Sequence, residues 1–368
     1  MAEPLRILQI VGILNCGGAE SMIMNLYRNI DRERVQFDFI VHTNEEGMYD
    51  KEVYELGGKI YHCPKFSGKN IVSYRHWWIN FFREHPEYKV LHSHIRSCAS
   101  VYFSIASKFG VKTIIHSHST SNGEGFSSVV KKVLQFPLRY QADYLMACSK
   151  KAGIWLYGNR ACNSEKYFFL PNAVDLEKYH INEQIRQEYR QLFGLGENLV
   201  FGHVGRFHES KNHPFLLETF AKIHRENENT ILLLIGDGEL RGMIEETVKR
   251  YGLEKAIVLL GLRRDVDNLL QAMDVLLFPS VWEGLPVTVI EAQAAGVPCI
   301  ISDNITTDVD VTELVYRLPI NDTIKWKDLA LSGLQRKDVS DKVKESGFDV
   351  KESARMLASF YEKIVQEI

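Results

Sequence analysis

The stretch SVWEGLPVTVIEAQAAGVP, from Ser280 to Pro298, carries two glutamates, Glu283 and Glu291, with seven residues between them. Two carboxylates can share acid/base work, or they can hold one ligand at two points. The preceding DVLLFPS reads as a strand, Pro286 stands where a helix N1 proline would, and Gly296 is a natural stop. Glu283 is therefore expected in the loop before a helix and Glu291 inside it, more than a turn later. At roughly 1.5 Å of rise per residue, that separation disfavours a single acid/base dyad. The helix N-terminus between them, with the Gly284 and Leu285 amides free, suits a phosphate or sugar oxygen. Together the pair fits one polyhydroxylated ligand lying along the loop. Either glutamate taken alone reads equally as a solvated charge.

Three other stretches have side chains suited to such a ligand. NCGGAE, from Asn15 to Glu20, places Gly17 and Gly18 at the opening of a helical segment, where backbone amides can approach an anion closely. VGRFHESKN places Arg206 and Lys211 five apart across a loop after a strand, so that both can converge on a diphosphate. VLHSHIRS and TIIHSHST place His92, His94, His116 and His118 at two strand ends, each pair on one face if the strand stays regular. Zinc would want an H-E-x-x-H or an adjoining carboxylate, which neither stretch offers, so no metal is expected. One of these histidines is expected to face the ligand as a hydrogen-bond partner, with the others packed or exposed. Gly236 and Gly238 fail the dinucleotide fingerprint, because Gly242 comes one residue late. P-loop and nucleophile-elbow motifs are missing. Asp265 reads as the N-cap of VDNLLQAMD.

The elements that must position these residues alternate. Short apolar runs (LRILQIVGIL, FDFIVHT, KIYHCP, KVLHSHI, TIIHSHS, YLMACS, YFFLPN) are separated by stretches with helical spacing. After about residue 195 the alternation restarts with NLVFGHVGR, TILLLIGDG, AIVLLG, DVLLFPS and PCIIS. Such alternation implies parallel sheets covered on both faces, here two doubly wound α/β domains in tandem. The first is expected over residues 1–175 and the second over 176–349, with an amphipathic helix over about 350–368 packing back on the first. The polar segment after Pro171 reads as the linker. Ligands of open α/β sheets bind beyond the carboxyl ends of the strands, so the expected site is a cleft between the domains.

A length of 368 residues, 45% hydrophobic and 25% charged, suits two soluble globular domains. The amino terminus lacks a basic leader and reads as a first strand, not a signal peptide. Six scattered cysteines without C-x-x-C spacing read as reduced cytosolic thiols. The net charge of −3 hides a balance of +8 over residues 65–140 and −11 elsewhere. The same window holds the aromatic cluster Tyr74, Trp77, Trp78, Phe81 and Phe82, so by composition it suits an anionic partner: membrane surface, lipid phosphate or nucleic acid. Solvated faces over core aromatics are the plainer reading.

GGAE, VGRF…K and above all E-G-L-P-x-x-x-x-E-A-x-A-x-G-x-P resemble the retaining glycosyltransferases of the GT-B class usually called family 4, over nearly the whole chain. GGAESMIMN and FDFIVH are more closely similar to exopolysaccharide and capsule glycosyltransferases of bacteria. The resemblance implies two Rossmann-like domains facing across a cleft, and transfer of a hexose or N-acetylhexosamine from a nucleotide sugar, UDP-linked by family frequency. It implies that Glu291 holds the donor ribose and Glu283 a hydroxyl of the transferred sugar, helped by the backbone at Gly284, Leu285 and Pro286. Arg206 and Lys211 would neutralise the diphosphate, Gly17 and Gly18 would line the site, and His118 would lie near the sugar's 6-hydroxyl. His94 and Asn15 would lie on the sugar or acceptor side. No carboxylate is placed as base or nucleophile, which fits retention by front-face attack; no cofactor and no metal are required. The acceptor would be a sugar or lipid-linked glycan at the inner face of the plasma membrane, with residues 65–140 docked on anionic lipid and no nucleic acid bound. The family often continues after PCIISDN with a Gly-Gly segment, where this chain has ITTDVDVTELVYRLP. Alternatives are a non-hydrolysing nucleotide-sugar epimerase, a silent sugar-nucleotide-binding subunit and, third, a glycoside hydrolase.

Overall fold

A computed structural model of the chain describes residues 3–15, 17–118 and 133–367. The chain divides into two units, Met1–Ala173 with Val350–Ile368, and Val174–Asp349. In the first, strands β1 (Leu5–Val11), β2 (Val35–Val41), β3 (Ile60–His62), β4 (Val90–Ser93), β5 (Lys112–Ser117), β6 (Tyr144–Ala147) and β7 (Tyr167–Phe169) lie in the order β3-β2-β1-β4-β5-β6-β7. In the second, β8 (Leu199–Val204), β9 (Thr230–Ile235), β10 (Ile257–Gly261), β11 (Val275–Phe278), β12 (Cys299–Ser302) and β13 (Val315–Leu318) lie in the order β10-β9-β8-β11-β12-β13. Every pairing in both sheets is parallel. The order reverses beside β1 and again beside β8, the doubly wound arrangement in which the crevice at the switch point receives ligands.

The strands are short because covered parallel strands need only a continuous apolar run. β2 is buried at all seven positions and β11 at all four. β13 escaped the sequence reading, since VYRL is only half-buried at an edge and has no apolar run to mark it. The helix Val350–Gln366 returns to the first unit, where Val350, Ala354, Leu357, Tyr361 and Ile364 join the core that also contains Ile7, Phe37 and Phe39. In the same unit Asp38, fully buried, accepts from Arg6 through two nitrogens, from the Tyr88 hydroxyl and from the Lys59 amide.

Three expectations change. The segment after Pro171 is not a linker: it forms the helices Leu176–Tyr179 and Glu183–Leu192 of the second unit. Arg186 bonds the Gln271 and Met273 carbonyls and Asp274, Arg190 reaches Asp274 and the Asn198 carbonyl, and Asp274 also accepts from the Val200 amide. Asp265 is the N-cap residue of its helix, Val266–Ala272, as read, but its side chain makes no cap hydrogen bond, because Arg263 and the Tyr189 hydroxyl engage its carboxylate. Of the aromatics in the basic window, Tyr74, Trp78, Phe81 and Phe82 are core residues.

Breaking the Asp274 network leaves Arg186 and Arg190 with an unmatched, partly buried charge, which typically costs about 3 kcal/mol. Asp274→Ala is therefore expected to speed amide exchange across the helix Glu183–Leu192 and β8 in the full chain, with exchange in the first unit unchanged.

Candidate functional site

In the second unit the chain leaves β8 at Val204 and turns through Gly205 and Arg206 into a short 3-10 turn, Glu209–Lys211. The Lys211 stem lies across Gly205: a Cβ there would sit 2.9 Å from Lys211 Cε and 3.1 Å from Cδ. Gly236, at φ +140, lets the loop after β9 abut the same place, since a Cβ would come within 2.0 Å of the Gly205 carbonyl oxygen. The glycines of VGR and IGDG thus serve close packing of two loops. Lys211 Nζ donates to Glu283 Oε1 at 2.5 Å and lies 4.7 Å from the centre of the Phe278 ring. Both partners are mostly buried, with 15% and 16% of their side chains exposed. The Val281 amide donates to the Ser210 carbonyl at 2.8 Å, so the loop after β11 is tied by backbone and by charge to the loop after β8.

Arg206 behaves differently. Its side chain is 73% exposed and pairs with Glu239 at 3.2 Å. The two cations expected to converge are therefore held by different carboxylates. Glu283 lies in the loop and Glu291 in the helix Val287–Ala294, as their spacing requires. Pro286 sits one position earlier than expected, at the N-cap rather than N1, and has no N–H to offer. Among the described residues neither the Gly284 nor the Leu285 amide has an acceptor. Glu291 accepts from the Tyr179 hydroxyl at 2.9 Å. Burial pushes its carboxyl up to about 7; the Tyr179 hydrogen bond lowers it, and the charge of Asp267 raises it further. Tyr179 belongs to the segment misread as a linker, and nothing in its local sequence marks it as a partner of Glu291. In ITTDVDVTELVYRLP, Arg317 clamps Asp310 and the Ile305 and Thr306 carbonyls, which gives that departure a fixed shape.

In the first unit Gly17 is the N-cap of the helix Gly18–Asn29. Asn15 has a structural task, its side-chain oxygen accepting from the Met48 amide at 3.0 Å. The four histidines of the two H-S-H stretches form one cluster, with ring centres 4.1–5.4 Å apart. His94 contacts His118 at 2.8 Å and Gln9 Oε1 at 2.9 Å, and His92 contacts the Tyr361 hydroxyl at 2.6 Å. All four rings pack against one another, His92 and His116 fully buried and His94 and His118 partly covered. His118 is only partly covered, but its free Nδ1 is shielded from solvent. His92, His94 and His116 bring ligand atoms within 4.8 Å of one another. They suit a cation poorly: His94 would have to release Gln9 or His118, the group contains no carboxylate, and the positive charge of Arg96 bears on His118.

The sequence reading missed a cavity of about 630 Å³ in this unit, walled by Ile13, His42, Thr43, Lys65, Phe66 and Ser97 among others. These residues lie beyond β1, β2, β3 and β4, in separate loops with no shared motif, so only the topology reveals them. His42 is fixed there by the Tyr74 hydroxyl at 3.0 Å.

Residues 16–178 match the model of Glycosyltransferase Family 4, and residues 185–329 that of Glycosyl transferases group 1. The chain is 34% identical to the putative glycosyltransferase EpsF of Bacillus subtilis, over 97% of this chain and 96% of that one. It is 33% identical to the UDP-Gal:alpha-D-GlcNAc-diphosphoundecaprenol alpha-1,3-galactosyltransferase of Escherichia coli, over 59% of this chain and 58% of that one. The fold matches Anabaena Alr3699/HepE, solved in complex with UDP and glucose, with a TM-score of 0.81 at 17% identity over 98% of this chain and 100% of that one.

Seven described histidines, five buried and two partly covered, are expected to make the protein sensitive to acid. Burial lowers His42 and His213 to about 4 and His118, beside Arg96, to about 3; His92, His94, His116 and His203 also fall well below their ordinary value. Each stabilises the fold above the unfolded value of about 6.5, and that contribution is lost as pH falls toward the folded values. Glu291 and Glu20, raised by burial instead, oppose this, Glu291 between about 4.5 and 7, but they are two groups against seven. The melting temperature is expected to fall steadily from pH 7 to pH 5, and calorimetry across that range checks it.

Proposed function

The chain belongs to glycosyltransferase family 4, and from that membership we propose a retaining transferase of polysaccharide biosynthesis that moves a hexose or N-acetylhexosamine from a UDP-linked donor to a sugar or lipid-linked glycan. The observation that carries this reading is the joined loop pair of the second unit, where Lys211 and Glu283 meet beside the helix that bears Glu291. In this reading Glu291 accepts the ribose hydroxyls and Glu283 a hydroxyl of the transferred sugar. The Gly284 and Leu285 amides supply donors to the same ligand, with Pro286 closing the turn behind them. Lys211 is held ready by Glu283. Arg206, in an exposed pair that solvent screens, turns to the diphosphate at little cost. In the first unit the family resemblance assigns Gly17, Gly18 and His118 to the donor, and Asn15 and His94 to the sugar or acceptor.

The acceptor oxygen attacks the anomeric carbon on the face from which the nucleotide diphosphate leaves. The bond from that carbon to the phosphate oxygen breaks, and the acceptor proton passes to the departing oxygen. Arg206 and Lys211 stabilise the charge that develops there, the task a metal ion performs in other transferases. The first unit's cavity, with Lys65 beside Phe66, Thr43 and Ser97, suits a sugar bearing a phosphate. The Escherichia coli relative's named substrate, a diphosphoundecaprenol-linked sugar, supports an acceptor of this kind.

A lipid-linked acceptor brings the protein to the cytoplasmic face of a membrane, and the structure changes which residues are suited to it. Val133, Leu134, Phe136 and Tyr140 are exposed apolar side chains within the basic window. Arg139 is committed to the Leu156 carbonyl and the Phe136 ring, while Lys131 and Lys132 lie outside the described residues. No described helix is long and apolar enough to cross a membrane. Co-sedimentation with anionic liposomes is expected to fall when Leu134 and Phe136 are both changed to Ser; unchanged binding would remove the membrane from this reading.

Calorimetric titration with a panel of UDP-sugars tests the donor assignment. Glu291 accepts two hydroxyls, and accepts them most strongly, when ionised, so the best ligand is expected to bind up to roughly tenfold more tightly at pH 8 than at pH 6, given a carboxyl near 7. Glu291→Gln is expected to weaken UDP and UDP-sugars alike and to flatten the pH dependence. Glu283→Ala is expected to weaken the UDP-sugar more than UDP. Equal losses on free UDP for the two variants would overturn the assignment.

A further inference from the structure

Glu291 has two carboxylate oxygens, and the second unit occupies one of them. Oε1 accepts from the Tyr179 hydroxyl at 2.9 Å, while among the described residues Oε2 has no hydrogen-bond partner and is not sealed from solvent. A carboxylate can only accept, so chemistry fixes the direction of this bond: the hydroxyl donates whenever Glu291 is ionised. Burial raises Tyr179 well above its ordinary value, and the charge of Glu291 adds to that, so the hydroxyl keeps its proton throughout the neutral range. The chain just after Tyr179 is pinned in two ways. Ile181 lies against Gly296, past the end of the helix that bears Glu291, where an added Cβ would come within 2.4 Å of Ile181 Cδ1. Gln271, almost wholly buried, accepts from the Asn182 amide through Oε1 and donates through Nε2 to the His180 carbonyl, both at 3.1 Å. A backbone amide and a carbonyl admit only that orientation of the glutamine. The Tyr179 hydroxyl is therefore delivered to Glu291 by a segment with little freedom to withdraw it.

We infer that Tyr179 is a positioning residue for the donor's ribose: its hydroxyl takes Oε1 of Glu291 and leaves Oε2 to accept from the ligand. The inference rests on the placement of the ribose at Glu291 proposed above. Tyr179 itself touches no ligand in this scheme. The bond also favours the ionised carboxyl, the form that accepts most strongly from hydroxyls, against burial and the charge of Asp267. The elements around Glu291 add little to this balance. Its helix packs on Leu176–Tyr179, Ser340–Glu345, β11 and β12. Glu177 and Lys178 on the first of these, and Asp341, Lys342, Lys344 and Glu345 on the second, are exposed, where solvent screens them. β11 has no titratable side chain, and burial keeps the Cys299 thiol of β12 protonated. Among the described residues, Tyr179 and Asp267 are thus the neighbours that set when Glu291 ionises.

Carbon-13 NMR of the full chain, labelled at glutamate Cδ, follows Glu291 without any ligand, its signal identified by its loss in Glu291→Gln. The parent is expected to titrate near 7. Tyr179→Phe keeps the ring and removes the hydroxyl, and its midpoint is expected about one unit higher. The ionised fraction at pH 7 then falls from about a half to about a tenth. UDP is accordingly expected to bind roughly fivefold more weakly than to the parent at pH 7, and within about twofold of it at pH 9. Asp267→Asn added to Tyr179→Phe removes the opposing charge. It is expected to bring the midpoint down and recover part of the affinity at pH 7, a rescue that a packing defect would not allow. A midpoint that Tyr179→Phe does not raise, or a loss of UDP affinity equal at pH 7 and pH 9, would overturn the inference. A midpoint that moves as expected in a protein that binds neither UDP nor any UDP-sugar would instead overturn the proposed function and leave the link from Tyr179 to Glu291 standing.

Discussion

Parallel strands all finish on the same edge of their sheet, and this constraint organises everything chemical in the molecule. Each segment that leaves a strand emerges at that edge, so residues far apart in sequence arrive together with no long-range pairing to specify them. Lys211 lies beyond the end of β8 and Glu283 beyond that of β11, neighbours in the second sheet, and that adjacency brings them within hydrogen-bonding distance. His94 leaves β4 and His118 leaves β5, neighbours in the first, and the same argument accounts for their contact. The cavity of the first unit is walled by the loops that leave β1 through β4 for the same reason. The doubly wound order supplies adjacency, and side-chain chemistry then decides which neighbours bond.

The two units treat buried polarity differently. The second keeps a charged pair, Lys211 with Glu283, at a mostly covered position, where each ion's desolvation is offset by the other. The first has such a pair too, Arg6 with Asp38, but at the ends of β4 and β5 it clusters histidines whose charged forms burial disfavours. A charged pair suits the binding of a diphosphate, since the lysine is already desolvated and fixed. Glu291 lies between these cases, a carboxyl that burial leaves near half-ionised at neutral pH until a ligand supplies donors.

Most of the fold was legible because buried strands announce themselves. FDFIV and VLLF need no partner to be read as strands, and twelve of the thirteen were marked by such runs, β13 being the exception at a sheet edge. Glu283 and Glu291 fell on a loop and a helix because Pro286 and Gly296 punctuate that stretch locally. Tyr179, Tyr361 and the cavity wall were not legible, since each matters only through a contact more than 30 residues away. Arg206 shows the opposite limit: its position in the loop was evident, but its exposure and its pairing with Glu239 depend on how two loops pack. The linker error has the same origin. Glu183–Leu192 looks solvent-bound in composition, and only the Asp274 network beneath it explains its arginines.

The first unit is interrupted in sequence by the whole of the second, with Val350–Gln366 returning to complete its core. On the ribosome this orders events. The second unit is continuous and can fold as soon as it has been made, whereas the first must wait, with Phe37 and Phe39 incompletely covered, until the returning helix is synthesised. Maturation of the histidine network is therefore coupled to synthesis of that helix. A product that stops short of that helix would carry an intact second unit and a first unit lacking Tyr361, and would be a natural substrate for chaperones and proteases.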